Sequence, residues 1–340
     1  MAAELNTTAK MACTMVRGSS ELSEARGSDA AAHCDPATIA VIIPTFNQAR
    51  FLAEAIMSVL AQTRPANEII VVDDGSTDEP ANVVSQFQKV QLIRQDNRGP
   101  SAARNTGLRC CSASHIVFLD ADDRLIPTAL ETGLRCIAQQ PDCGFVYGAL
   151  RLISENGHPI GSNLFTPING EAHLAFLRQN LISMPAAALY RRDCLLAVKG
   201  WDESMRRCED HDIYLRMARR YPIVSHPNLV AEYRQHSENT SQNHVEQLKA
   251  ALRLLDLHEA HITIDAPTRV ALRIGRANKR KLYVSRMLES ARASWQIRRD
   301  VGGLIRDVIQ AARWSPRVTM YTLIRVFGRS IKSTVIALTE

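Results

Sequence analysis

Residues 115–123 read His-Ile-Val-Phe-Leu-Asp-Ala-Asp-Asp, HIVFLDADD. Ile116, Val117, Phe118 and Leu119 make a short apolar run of β-branched and aromatic residues, the pattern of a buried strand. The run stops abruptly at Asp120, Ala121, Asp122 and Asp123. Three carboxylates leaving a buried strand repel one another and resist desolvation, so this tetrapeptide predicts a positive charge among them. A hard divalent cation, Mg²⁺ or Mn²⁺, meets that need when it is shared with phosphate oxygens. The other reading is a solvated turn with Asp123 capping the next helix.

On the N-terminal side the pattern alternates between strand and helix. Residues 38–44 (TIAVIIP) are apolar on both faces, as strands of a parallel sheet are. From 48 to 62, Phe51, Leu52, Ala55, Ile56, Val59 and Leu60 recur at helical spacing, and residues 68–72 (EIIVV) form a second strand ending in Asp73-Asp74-Gly75-Ser76. Strand, helix and strand at this length imply a right-handed crossover. A helix over 79–89 and a strand over 90–94 follow, then a Gly99-Pro100 turn with Ser101 as the expected helix cap. This arrangement brings Arg98 and Arg104 to the rim where the strands end in Thr45, Asp74 and Asp120. Ligands bind at that carboxyl edge in open α/β sheets.

Past Pro127 the sequence predicts a helix to 139, a strand over 144–148 and a hairpin over 150–165 turning at Glu155-Asn156-Gly157. A strand over 186–190, a polar loop over 200–209 and a helix over 210–221 complete this part. The chain beyond 243 is helical, with a break at Pro316. The expected fold class is therefore α/β, a Rossmann-like, mostly parallel sheet flanked by helices and followed by a helical C-terminal extension.

At 340 residues, 46% hydrophobic and 22% charged, the composition is that of an ordinary globular protein with one large domain plus appendages. No apolar run is long enough to span a bilayer, and no compact hydrophobic block marks a signal peptide, so a cytoplasmic location is expected. Of eight cysteines none forms a Cys-x-x-Cys pair, which favours reduced thiols over a zinc or disulfide framework. Residues 1–37 lack a sustained period and are expected to be a disordered leader. The charge of +6 is uneven: residues 251–340 hold 17 Lys and Arg against 7 Asp and Glu. Such a tail suits an anionic membrane surface, peripherally through 301–337, or an anionic partner other than nucleic acid. Its other readings are a solvated helical face, or helices packed on the catalytic domain or on a second subunit of an oligomer.

Five blocks in register carry a family resemblance: VIIPTFN (41–47), EIIVVDDGSTD (68–78), NRGPSAARNTG (97–107), FLDADD (118–123) and GWDESMRRCEDHDIYLR (200–216), with YRQHSENTS (233–241) as a weaker sixth. Together they resemble the family-two glycosyltransferases of the GT-A fold. The resemblance implies a catalytic domain over 38–245 followed by a basic helical region over 246–340. It implies that Asp74 contacts the nucleotide base, usually uracil, that Pro44 and Thr45 wall the nucleoside, and that Asp120 approaches the ribose. Asp122 would bind the Mg²⁺ or Mn²⁺ that bridges the diphosphate, and Arg104 would lie beside the nucleotide. Asp210 matches the catalytic base, Trp201 a position that shapes the sugar or acceptor pocket, and His236 one that in some members approaches the diphosphate or the metal.

Each residue also has a plainer reading. Asp73 caps a turn, Arg104 pairs with an acidic strand end, Trp201 is a core aromatic, and Asp210 is a helix cap. His236 packs, as His115 and His211 are expected to. Chemistry nevertheless favours the set. A nucleoside diphosphate leaves readily once a divalent ion neutralises it, and a carboxylate can activate an acceptor hydroxyl as general base. A helix dipole at Asp210 would favour its ionised form. The expected activity is inverting, metal-dependent transfer from a nucleotide sugar, UDP-linked by resemblance, to a glycan, lipid-linked or protein acceptor. The alternatives are a sugar-phosphate nucleotidyltransferase, whose glycine-rich signature is replaced here by PTFNQARFL, and a catalytically silent scaffold docking through the basic tail.

Overall fold

β1 (Ile39–Thr45, IAVIIPT) is buried at all seven positions, because it runs between two parallel neighbours with helices over both faces. The computed structural model containing it describes residues 37–236, 243–298 and 300–325. The expected leader lies outside these residues up to position 36, as do 237–241 of the YRQHSENTS block and 326–337 of the basic tail.

The elements that follow are α1 (Ala49–Leu60), β2 (Glu68–Asp73), α2 (Pro80–Val84), β3 (Val90–Arg94), α3 (Pro100–Cys110), β4 (His115–Phe118), β5 (Arg124–Leu125), α4 (Ala129–Ala138), β6 (Phe145–Ser154), β7 (Pro159–Leu164) and α5 (Ala172–Arg178). After them come β8 (Ala188–Arg191), α6 (Arg192–Ala197), α7 (Glu209–Ala218), β9 (Ile223–Gln235), α8 (His244–Glu259), α9 (Ala266–Arg298) and α10 (Val301–Trp314). The nine strands form one sheet in the order β3-β2-β1-β4-β8-β6-β9-β5, with β7 beside β6. From β3 to β4 every pairing is parallel. Beyond β4 the sheet is mixed: β8 is antiparallel to β4 and β6, while β9 is parallel to β6.

Several sequence expectations are refined. The helix expected over 79–89 is confined to Pro80–Val84, and Leu60 is exposed rather than part of the buried face of α1. Ser101 does not cap α3; Gly99 takes that position and Pro100 opens the helix, where its missing N–H costs nothing. The hairpin is present, with β6 antiparallel to β7 and Gly157 in the left-handed region between them. Two strands had no expectation, β5 and the 13-residue β9. β5 pairs antiparallel with β9, Arg124 opposite Glu232 and Leu125 opposite Ala231, and so ties the segment just after Asp123 to the end of β9.

The chain divides into two compact units. The first, to His173 with 181–204 and 209–236, holds the sheet. The second comprises 174–180, 205–208 and the helices after 243. Within it the Asn243 side chain caps α8 and Asp300 caps α10, each accepting a helix N–H. Arg276 of α9 pairs with Asp256 and Glu259 of α8. The helix resumes over 316–325 after the expected break at Pro316. No described helix is long and apolar enough to cross a membrane.

The seat of α3 on the sheet depends on a glycine. A Cβ at Gly107 would lie 2.3 Å from Ile42 Cγ2, the side chain of a fully buried strand residue. Gly107→Ala therefore forces Ile42 or the helix to move, and overpacking of this kind costs about 1–3 kcal/mol. The expected result is a lower urea midpoint with an unchanged slope. An unchanged midpoint would mean that α3 does not rest on β1 at this contact.

Candidate active site

Because β1, β2 and β4 run parallel, their carboxyl ends open on one edge, and the loops there are stitched together by backbone hydrogen bonds. The Asp74 N–H donates to the Thr45 carbonyl at 2.9 Å, and the Ser76 N–H to Asp73 Oδ1 at 2.8 Å, so Asp73 fixes the turn as its plainer reading expected. Asn47, left-handed at φ 53°, accepts the Thr77 N–H on Oδ1 at 2.8 Å. Asp74 is buried, and its carboxylate accepts three hydrogen bonds: from Gln95 Nε2 at 2.7 Å and from the N–H groups of Arg98 and Gly99 at 2.9 and 2.8 Å. It shapes the 97–99 loop, and the positive φ of Gly99 allows that loop to curl back onto it. Pro44 and Thr45 are buried beside it.

The centre of the edge is Arg104, which α3 carries inward until its side chain is 4% exposed. Its Nη2 donates to Asp120 Oδ1 at 2.8 Å, and its Nη1 faces Glu209 Oε1 at 3.3 Å and Asp210 Oδ1 at 3.5 Å. Burial alone would lower its pKa, but Asp120, Asp210 and Glu209 outweigh burial and keep the guanidinium charged. Its other face lies 4.5 Å over the Trp201 ring. Trp201, expected at a pocket wall, is buried against Phe118 and shows its face to Arg104 rather than to solvent. Asn105 fixes the loop carrying it: Nδ2 donates to the Trp201 carbonyl at 2.9 Å and to Glu203 at 3.0 Å, and Oδ1 accepts the Trp201 N–H at 2.8 Å. Arg98, expected to face the acidic strand ends, reaches Glu203 at 2.5 Å.

Asp122 and Asp123 face the end of β9. The N–H of Arg234 donates to Asp123 Oδ1 at 2.8 Å, and its Nε to the Asp122 carbonyl at 2.7 Å. The same fully buried guanidinium reaches Glu54 at 2.7 Å and the Glu155 carbonyl at 2.6 Å. His236 Nε2 lies 2.8 Å from Asp122 Oδ2, with the imidazole buried against Phe51. Burial, and next the Asp120 charge, raise the Asp122 pKa against the pull of His236.

Asp210 occupies the first turn of α7, as the sequence suggested. Its ionisation differs from expectation: burial, then Glu209, push the carboxyl well above its ordinary range, and Arg104 only partly opposes them. Asp120, Glu209 and Asp210 each keep some solvent contact around the hidden Arg104, so the surface presents carboxylates and the cation lies beneath.

The structure thus brings Asp120, Arg104 and Asp210 together in one cluster, sets Asp122 and His236 side by side, and uses Asp74 and Trp201 as supports. Sequence reasoning missed Glu209, Asn105 and Arg234. The last sits two residues before His236 in YRQH, near the end of β9, a strand that Pro227 and Asn228 obscured in the sequence. Among the described residues no three His, Cys, Asp or Glu side chains gather into a preformed metal cage. Thr45 Oγ1, Ser101 Oγ, Arg104 Nε and Trp201 Nε1 are buried polar atoms without a protein hydrogen-bond partner.

The sequence matches the profile of glycosyl transferase family 2 over residues 40–197. The chondroitin synthase of Escherichia coli is 30% identical over 211 residues, 60% of this chain and 30% of that one, so the chain spans about a third of that relative's length. Two solved structures share the fold. Staphylococcus aureus TarS 1–349 in complex with UDP-GlcNAc has a TM-score of 0.55 at 16% identity, covering 83% of this chain and 82% of its own. The mannosyltransferase PcManGT of Pyrobaculum calidifontis, in complex with GDP-Man and Mn²⁺, has a TM-score of 0.57 at 16% identity, covering 85% and 84%. The fold is GT-A, and residues 40–197, which run from β1 to α6 and carry Asp74, Arg104, Asp120 and Asp122, belong to glycosyl transferase family 2.

Proposed function

We propose that the chain transfers a sugar from a nucleoside diphosphate donor, UDP-linked, to an acceptor hydroxyl on a glycan, lipid-linked or protein substrate, with inversion and with a divalent cation. The observation that carries this reading is the Asp120–Arg104–Asp210 cluster, which joins the strand end of the donor edge to the first turn of α7. A donor site and a general base are needed at one place, and these residues supply candidates for both.

The residues fit a divalent cation. Asp120, Glu209 and Asp210 reach solvent around one guanidinium, an excess of negative charge, and Asp122, two residues on from Asp120, offers hard oxygen donors suited to Mg²⁺ or Mn²⁺. Asp122 would hold the ion. The buried His236 would orient Asp122 through the 2.8 Å contact rather than bind directly. When bound, such an ion neutralises diphosphate oxygens and so eases departure of the nucleoside diphosphate.

The chain's own residues do the rest. Asp74 holds the 97–99 loop in shape beside the nucleoside, with Pro44 and Thr45 behind it. Arg104, stacked on Trp201, keeps Asp120 turned toward the donor and adds positive charge beside the forming diphosphate. Asp210 takes the proton of the acceptor hydroxyl as that oxygen attacks the anomeric carbon opposite the leaving group, which inverts the centre.

Asp210→Asn should leave donor affinity in calorimetry near wild type while kcat falls about 10²–10⁴-fold, as loss of a general base does; unchanged turnover would remove Asp210 from the reaction. Asp122→Ala should abolish the metal dependence of UDP binding, and UDP bound equally tightly without metal by the native chain would refute the metal assignment. Because a base acts only when deprotonated and the Asp210 pKa is raised, kcat/KM should fall on the acid side above the ordinary carboxylate range. Arg104→Gln, which removes the one opposing charge, should move that limb higher still, and Arg104→Lys should hold it. Released nucleoside diphosphate, against pyrophosphate, distinguishes sugar transfer from nucleotidyl transfer.

A further inference from the structure

Among the described residues of the second unit, the 301–325 stretch carries a set of exposed large apolar side chains. Val284 and Leu288 of α9 form a small core with Ala311 of α10, and Val308, Trp314, Val318 and Leu323 pack against it. That contact uses one side of the 301–325 stretch. Away from that contact Val301, Ile305 and Ile309 recur every four residues along α10, and Met320, Tyr321 and Ile324 lie on the separate helical stretch after Ser315, each at least 50% exposed. Large apolar side chains at helical spacing on the outside of a packed unit are expensive in water.

The charges on this stretch select the occupant. Arg306, Arg313, Arg317 and Arg325 are exposed among or beside these residues, while the acidic side chains, Asp300 and Asp307, lie only at its N-terminal end and Asp300 pairs with Arg306. An apolar stripe bordered by arginines, with a tyrosine in it, matches the boundary between acyl chains and anionic headgroups. Arginine stems lie along apolar surface while their heads reach phosphate, and tyrosine favours the same depth. A second protein surface would have to be both apolar and acidic along both helical stretches, 301–314 and 316–325.

We propose that the outer face of residues 301–325 seats the chain on an anionic lipid bilayer, lying in the interface without crossing it. The inference is independent of the sugar-transfer reading, since none of these residues belongs to the site.

The test is co-sedimentation of the full chain with phosphatidylcholine vesicles, with and without about 30% phosphatidylglycerol, at about 0.1 M and about 1 M salt. The chain is expected to bind the anionic vesicles at low salt and to leave them at high salt. Ile305→Glu/Ile309→Glu and Arg313→Glu/Arg317→Glu should each weaken binding at least about tenfold, because one removes apolar burial and the other reverses the charge attraction. Light scattering and the thermal midpoint should not change, and Asp210→Asn should bind vesicles as wild type does. Failure of the wild-type chain to sediment with anionic vesicles overturns the proposal. So does binding that ignores the arginine reversals, or a dimer that the isoleucine variants dissociate, which would assign the face to a second copy of the chain.

Discussion

A guanidinium buried to 4% exposure has to be met by negative charge, and Arg104 meets it with Asp120 on one side and the Glu209–Asp210 pair on the other. Breaking such an arrangement from one side leaves an uncompensated buried charge, a loss of about 3–5 kcal/mol. The ion cluster is therefore a geometric constraint as much as an attraction: α3, the exit of β4 and the first turn of α7 must approach together. Trp201 closes the remaining face of the cation, and Asn105 holds the loop that brings it there. Gly107 lets α3 lie close enough to β1 for Arg104 to reach.

A second buried arginine works from the opposite side of the same turn. The Arg234 guanidinium donates to the Asp122 carbonyl and its backbone N–H to the Asp123 carboxylate, while the Arg104 guanidinium holds the Asp120 carboxylate. Of the three aspartates in DADD, only Asp120 has its carboxylate paired with a guanidinium; Asp123 accepts the Arg234 backbone N–H, and Asp122 faces His236. Different partners for adjacent carboxylates explain how three of them coexist at a strand end: a guanidinium, an imidazole and a backbone N–H each meet one of them. The raised pKa values of Asp122 and Asp123 reflect the burial and mutual repulsion that this crowding entails.

Much of the donor edge was legible because local rules and global fold agree there. The apolar strands before Thr45, Asp74 and Asp120 signal themselves by composition, and the hairpin at Gly157 by its turn chemistry. What escaped notice depends on partners far away in sequence. β9 contains Pro227 and Asn228 and mixes buried His226, Glu232 and Arg234 with apolar residues, so neither strand alternation nor hydrophobicity flags it. Its position comes from pairing with β6 and β5, which one segment cannot reveal. Trp201 and Asp74 were legible as important residues but not as supports, because exposure is a tertiary quantity. The upward push on the Asp210 pKa comes first from burial, which one segment cannot reveal, and then from Glu209, its neighbour in sequence.

A crystal structure grown with UDP and Mn²⁺ bears most directly on the arrangement proposed for this edge. The expected result is an anomalous manganese peak in coordination contact with Asp122, the uridine beside Thr45 and Asp74, and the terminal phosphate between the Asp120–Arg104 pair and Asp210. A nucleotide bound elsewhere, or manganese with no contact to Asp122, would contradict it.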